Sequence, residues 1–101
     1  MRFVESWTFA TLTATRDLTA DIREFLLCPE QPIAPYAPGS HINVGIDIGG
    51  RPQTRAYSLV GSPDAKGLRI AVRRAPDSRG GSRYMWSLTP GARLNITLPS
   101  T

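Results

Sequence analysis

His41-Ile42-Asn43-Val44-Gly45-Ile46-Asp47-Ile48 alternates between two kinds of side chain along its whole length. Ile42, Val44, Ile46 and Ile48 fall on one side and His41, Asn43, Gly45 and Asp47 on the other, as a strand with one buried and one wet face requires. The same period of two recurs in Leu68-Arg69-Ile70-Ala71-Val72-Arg73 and in Arg93-Leu94-Asn95-Ile96-Thr97-Leu98. Residues 7–15 are rich in threonine and aromatics, and residues 22–28 follow after Asp17-Leu18-Thr19-Ala20-Asp21. Those two stretches are expected to form a hairpin. A further strand is expected over residues 53–60, between the turns Gly49-Gly50-Arg51-Pro52 and Gly61-Ser62-Pro63-Asp64.

One segment leaves this pattern. Residues 82–88 place Tyr84, Met85 and Leu88 at helical spacing, which predicts a short helix capped by Ser82 or Gly81 and stopped by Pro90-Gly91. Prolines at 29, 32, 35 and 38 make residues 29–39 a stiff, extended connection. Six closely spaced strands and one helix predict an all-β fold, a six-stranded antiparallel Greek-key β-barrel, because closure removes sheet edges that a flat sheet must defend.

A chain of 101 residues, 41% of them hydrophobic, supports one core and one domain spanning residues 1–101. A single cysteine, Cys28, excludes an internal disulfide framework and a four-thiolate metal or iron–sulfur site, and a single histidine, His41, argues against metal catalysis. His41 itself reads as a hydrogen-bonding surface residue. No apolar run approaches membrane-spanning length and no signal-peptide core follows the N-terminus, so a cytoplasmic location is expected. The formal charge is +4, and eleven of the twelve basic residues are arginine. That bias suits two-pronged recognition of phosphate or carboxylate, although genomic base composition can produce it too.

Three stretches carry candidate chemistry. In Arg55-Ala56-Tyr57-Ser58-Leu59, Arg55 and Tyr57 share a strand face, so a charge and an aromatic plane address one ligand. In Gly80-Gly81-Ser82, glycines admit a close backbone approach to an anion at a helix start, with Ser82 adding a hydroxyl. In Ala71-Val72-Arg73, the main chain offers donors and acceptors to the edge of a planar heterocycle, with Arg73 or Arg74 as a counter-charge. Each has a plainer reading: Tyr57 as barrel packing with Arg55 bound to an acid, Ser82 as a helix cap, and Arg73 and Arg74 as a solvated strand end. The acids are scattered through turns and assemble no nucleophile–base pair, so any redox chemistry belongs to a cofactor.

Arg55-Ala56-Tyr57-Ser58-Leu59 resembles the Arg-x-Tyr-Ser signature of ferredoxin-reductase-like flavin domains, and Pro38-Gly39-Ser40-His41-Ile42 resembles the Pro-Gly-x-His/Phe segment that precedes it. Gly80-Gly81-Ser82-Arg83-Tyr84-Met85 and Pro90-Gly91-Ala92-Arg93-Leu94-Asn95-Ile96 are similar to the phthalate dioxygenase reductase and vanillate demethylase reductase branch. The resemblance implies an FMN-binding barrel, FMN being preferred to FAD, in an NAD(P)H-dependent oxygenase reductase. It implies that Arg55, Gly80, Gly81 and Ser82 hold the flavin phosphate, that Tyr57 lies against the ribityl and ring, and that Ala56 between them is also cofactor-binding. Ser58 would reach N5 as the catalytic residue, and Ala71, Val72 and Arg73 would line the pyrimidine edge.

The branch also implies a nicotinamide-binding domain, a 2Fe-2S ferredoxin domain and a terminal oxygenase as partners. No Gly-rich nucleotide turn or cysteine quartet lies within these residues, so the chain is expected to be one domain excised from such a reductase. Two other readings stay open. One is a non-redox basic barrel that binds single-stranded nucleic acid, with Arg51, Arg55, Arg73, Arg74 and Arg79 on phosphates and Tyr57 or Trp86 stacking on bases. The other is a barrel that has lost flavin and serves as a scaffold.

Overall fold

The computed structural model describes residues 7–61, 67–75 and 80–100. The expected strands form as β1 (Trp7–Asp17), β2 (Ile22–Pro29), β3 (His41–Ile48), β4 (Arg51–Ser58), β5 (Leu68–Arg73) and β6 (Arg93–Thr97). One helix stands among the described residues, α1 (Gly81–Trp86), between β5 and β6. Every ladder is antiparallel, in the spatial order β4-β3-β6-β1-β2-β5. The two outer strands meet just beyond β4, where Leu59 bridges Ile70 and the Val60 N–H donates to the Arg69 carbonyl at 2.9 Å. This contact curls the sheet into the all-β Greek-key barrel.

Alternation decides which side chains fill it. Leu12, Phe25, Leu27, Ile42, Val44, Leu68, Ile70 and Ile96 are each 0% exposed, and Met85 of α1 joins them from the helix. Fully burying such a side chain is worth roughly 1.5–3 kcal/mol, so this interior dominates the stability of the fold. The proline-rich connection after β2 forms no strand before His41.

The β3–β4 connection is tighter than expected. Gly49 and Gly50 alone make the turn, at φ 59° and 83°, the left-handed pair that a two-residue type I′ hairpin demands. Asp47 supports it by accepting from the Gly50 N–H at 2.8 Å. As a result β4 covers Arg51–Ser58 rather than residues 53–60, and Ile48 pairs with Arg51. Pro52 is tolerated inside β4 because its nitrogen faces away from β3, on the side where no strand among the described residues pairs with it. The turn after Gly61 lies largely outside the described residues.

Candidate functional site

The barrel closes at one place along β4 and β5 and stays open below it. Main-chain groups of successive strand residues point to alternate sides. The Leu59 N–H donates to the Ser40 carbonyl at 2.9 Å, so Leu59, Tyr57 and Arg55 turn their main chain to β3, and Ser58 and Ala56 turn theirs toward β5. The Arg69 carbonyl accepts from Val60, so Ala71 and Arg73 turn theirs toward β4. Continuing the register past Leu59 and Ile70 would set Ala56 opposite Arg73, yet no ladder joins these two among the described residues. Two backbone edges therefore face each other across a splayed seam, an arrangement that costs free energy unless water or a ligand completes it.

Arg55 and Tyr57 lie on the inner side of β4, opposite Val44 and Ile42 of the core. Tyr57 is half-buried and packs against the core. Burial pushes its hydroxyl above the ordinary tyrosine range, and the nearby Arg55 guanidinium partly offsets that shift. Arg55 donates from Nη1 to the Thr54 carbonyl at 3.0 Å, and its side chain runs to the start of α1. A Cβ placed on Gly81 would lie 3.2 Å from Arg55 Nε and 3.4 Å from Ile46 Cδ1. The structure thus sets Arg55 of β4 beside the start of α1.

The helix start differs from the expectation. The N-cap is Gly80, at φ 99° with no side-chain cap bond, rather than Ser82 or Gly81. Gly80 is required twice over: its left-handed backbone suits glycine, and a Cβ there would sit 2.9 Å from Ile48 Cγ2. Ser82 instead accepts from the Ala75 N–H at 3.2 Å and donates to the Ala75 carbonyl at 3.4 Å, tying α1 to the end of β5. The helix ends at Trp86, short of Leu88.

The Ala71-Val72-Arg73 stretch divides by role. Val72 buries its side chain, and its carbonyl accepts from Trp86 Nε1 at 3.0 Å, so Val72 is committed to the barrel and α1. The Arg73 side chain is exposed and pairs with Asp21 at 3.8 Å, which favours the solvated strand end for its guanidinium while its main chain still faces the seam.

Sequence reasoning missed Trp86 as a structural tie. Its ring lies 4.2 Å from the Arg23 guanidinium carbon and 5.1 Å from that of Arg74. A cation already covering the ring leaves Trp86 a poor platform for a base, so the nucleic-acid reading loses one of its two stacking residues. Arg79, another of its residues, lies outside the described residues. Only the aromatic at the fourth position after Ser82 hinted at such a contact.

Arg23 is itself held by Asp17, with Nε 2.6 Å from Oδ1, and that hydrogen bond keeps the Asp17 carboxyl below the usual carboxylate range. A lowered folded value means stability that is present above the unfolded carboxylate range and lost as pH falls through the folded value. Below about pH 4, the melting temperature of the wild type is expected to fall more steeply than that of Asp17→Asn. Thermal melts across pH 2–6 check this, and parallel curves would remove Asp17 from the acid response.

Among the described residues no group of His, Cys, Asp and Glu is arranged to hold a metal ion. No described helix is long and apolar enough to cross a membrane.

Comparison with known proteins bears on this seam. The family model described as oxidoreductase FAD-binding domain matches residues 9–101. The chain is 39% identical over 92 residues to the heme-dependent oxidative N-demethylase beta subunit of Ectopseudomonas mendocina (strain ymp), covering 88% of this chain and 29% of that protein. It is 37% identical over 87 residues to the carnitine monooxygenase reductase subunit of Escherichia coli (strain K12), covering 82% of this chain and 27% of that protein. The chain therefore spans less than a third of the length of these relatives. The solved structure of phthalate dioxygenase reductase superposes with a TM-score of 0.83 at 24% identity, over 94% of this chain and 30% of that one, a likeness of fold.

Proposed function

Since the chain belongs to the oxidoreductase FAD-binding domain family, we propose that it is the flavin-holding barrel of an NAD(P)H-dependent oxygenase reductase and that FMN is the flavin it takes. The observation that carries this reading is the splayed β4–β5 seam, with Arg55 laid against Gly81 at its helix end. From Ser58 to Arg55 is three residues of strand, roughly 10 Å, enough to separate a ring system from a phosphate across a short polyol. The seam fits a planar heterocycle: main-chain donors and acceptors of Ala56, Ser58, Ala71 and Arg73 line two sides, and Tyr57 offers an aromatic face.

When bound, a flavin accepts a hydride as an electron pair and passes the electrons on singly. This chain's part is positional. Arg55, with the main chain at Gly80 and Gly81, would grip one phosphate, the Ser82 hydroxyl joining them by turning its proton from the Ala75 carbonyl to the phosphate, and Ser58, at the closed end of the seam, would meet ring N5. Val72 acts at one remove by fixing β5 to α1 through Trp86. Single-phosphate recognition favours FMN. Nicotinamide-binding and 2Fe-2S ferredoxin domains and a terminal oxygenase are the proposed partners, which the greater length of the relatives supports.

The test is a visible spectrum of the purified chain before and after addition of flavin and desalting, with FMN, FAD and riboflavin in parallel. FMN retained more strongly than the others is the expected result. FAD retained in preference would correct the cofactor, and no retention of any flavin would overturn the reading.

A further inference from the structure

A second concavity lies around α1 from Arg55. Successive helical residues turn by about 100°, so Gly81, which meets Arg55, and Met85, which is buried, face the core. Ser82 and Trp86 face the end of β5, where they bond Ala75 and Val72, and Arg83 and Ser87 are exposed. Between these last two faces of the helix, the start of β2 and the end of β5 opens a cleft of about 650 Å³. That volume falls within the roughly 300–1,000 Å³ of small-molecule sites.

Three guanidinium groups line the cleft, those of Arg23, Arg74 and Arg83. Arg23 is pinned, since Asp17 accepts from its Nε and its Nη1 donates to the Trp86 carbonyl at 3.4 Å. Arg74 is fixed at its main chain, whose N–H donates to the Asp21 carbonyl at 2.7 Å, and its guanidinium lies beside the Trp86 ring. A guanidinium set against an aromatic face keeps its planar fork of N–H donors available to an anion. The charges do not cancel. Asp17 balances Arg23, and the neighbouring Arg73 is matched by Asp21 at 3.8 Å, but among the described residues no carboxylate is ion-paired with Arg74 or Arg83. Two positive charges are thus left over in a concave space that focuses their field.

We propose that this cleft binds a small phosphomonoester, at a site separate from the contact of Arg55 with Gly81. A phosphomonoester carries about −1.5 to −2 charges at pH 7, which matches the surplus, and its three terminal oxygens can accept from both free forks at once. The rest of the cleft has room for the organic part of the ester. Arg23 and Arg74 already lie against the Trp86 ring, which disfavours a stacked base and favours a polyol or sugar phosphate over a nucleotide. The site stands whether or not the chain holds a flavin.

The test uses the flavin-free chain and NMR at constant ionic strength, with glycerol 3-phosphate and inorganic phosphate as probes. Glycerol 3-phosphate is expected to shift the Trp86 indole N–H signal saturably, while that of Trp7, on β1, stays in place. Arg74→Ala and Arg83→Ala are each expected to weaken binding about tenfold or more, as loss of a hydrogen bond to a charged group requires. Arg73→Ala, whose charge is spent on Asp21, is expected to change it by less than about threefold, and Arg55→Ala to leave it unchanged. A Trp86 signal that fails to saturate, an Arg73→Ala loss equal to that of Arg74→Ala, or binding of inorganic phosphate with exclusion of the ester overturns the proposal. So does loss of the response in Arg55→Ala, which would place the ester beside Gly81 instead.

Discussion

Replacing Arg55 by alanine is expected to weaken FMN binding roughly 10- to 100-fold while leaving riboflavin affinity nearly unchanged. The figure follows from the ~1.5–3 kcal/mol of a hydrogen bond to a charged group, at 1.4 kcal/mol per tenfold. The selectivity follows from geometry. Arg55 reaches Gly81 at the helix end of the seam, where the phosphate would lie, and riboflavin has no phosphate to lose. Arg55→Lys should fall between, since an ammonium keeps the charge without the planar fork. Titration of the apoprotein with each flavin, followed by fluorescence quenching, gives all the numbers. Equal losses for FMN and riboflavin would show that Arg55 supports the barrel instead of the phosphate. An internal control comes from Tyr57: Arg55 is what offsets the effect of burial, so its removal should push the Tyr57 hydroxyl still higher in an ultraviolet pH titration.

Arg55 and Gly81 also mark how far the sequence was legible. Period-two alternation located the strands because each buries one face, and that signal is local: Ile42, Val44 and Ile46 are buried as their spacing requires. Register is a different matter, since it depends on how many residues the turn consumes. Read as the four residues Gly49-Gly50-Arg51-Pro52, the turn would have slid β4 two places and set Val60 against His41. With Gly49 and Gly50 both in left-handed conformations, the turn uses two residues and puts Ser58 there. Proline at 52 misled because it reads as a turn former, and nothing local reveals that β4 has no neighbour on that side.

The tie of Trp86 to Val72 was hidden for a similar reason. It joins segments 14 residues apart, and only the packing of α1 on the barrel makes them neighbours. Ser82 was half-read, in that a serine at a helix start was expected to cap its own helix. Gly80 had already made the turn, which left the hydroxyl to bind Ala75.

Two adjacent glycines should respond to alanine in opposite ways, and the contrast separates fold from site. Gly80→Ala is expected to destabilise the chain by ~2–5 kcal/mol. About 1–2 kcal/mol comes from a side chain in left-handed backbone, and about 1–3 kcal/mol from a Cβ forced to 2.9 Å from Ile48 Cγ2, a branched carbon of a partly buried side chain packed on the core. Domains of this kind hold only about 5–15 kcal/mol in all, so partial unfolding near body temperature is a realistic outcome. Gly81→Ala meets no such penalty. Gly81 has no positive φ, alanine is the better helix former by up to ~1 kcal/mol, and the nearest obstacle is the far end of a flexible arginine, 3.2 Å away at Nε. Stability should therefore hold or rise, while Arg55 is pushed out of line and FMN affinity drops toward that of Arg55→Ala. Urea unfolding of the apoprotein measures the first effect and FMN titration the second. A stable Gly81→Ala chain with undiminished FMN affinity would mean that the phosphate lies away from the Arg55–Gly81 contact, whereas loss of FMN without loss of stability ties the function of the seam to that single close approach.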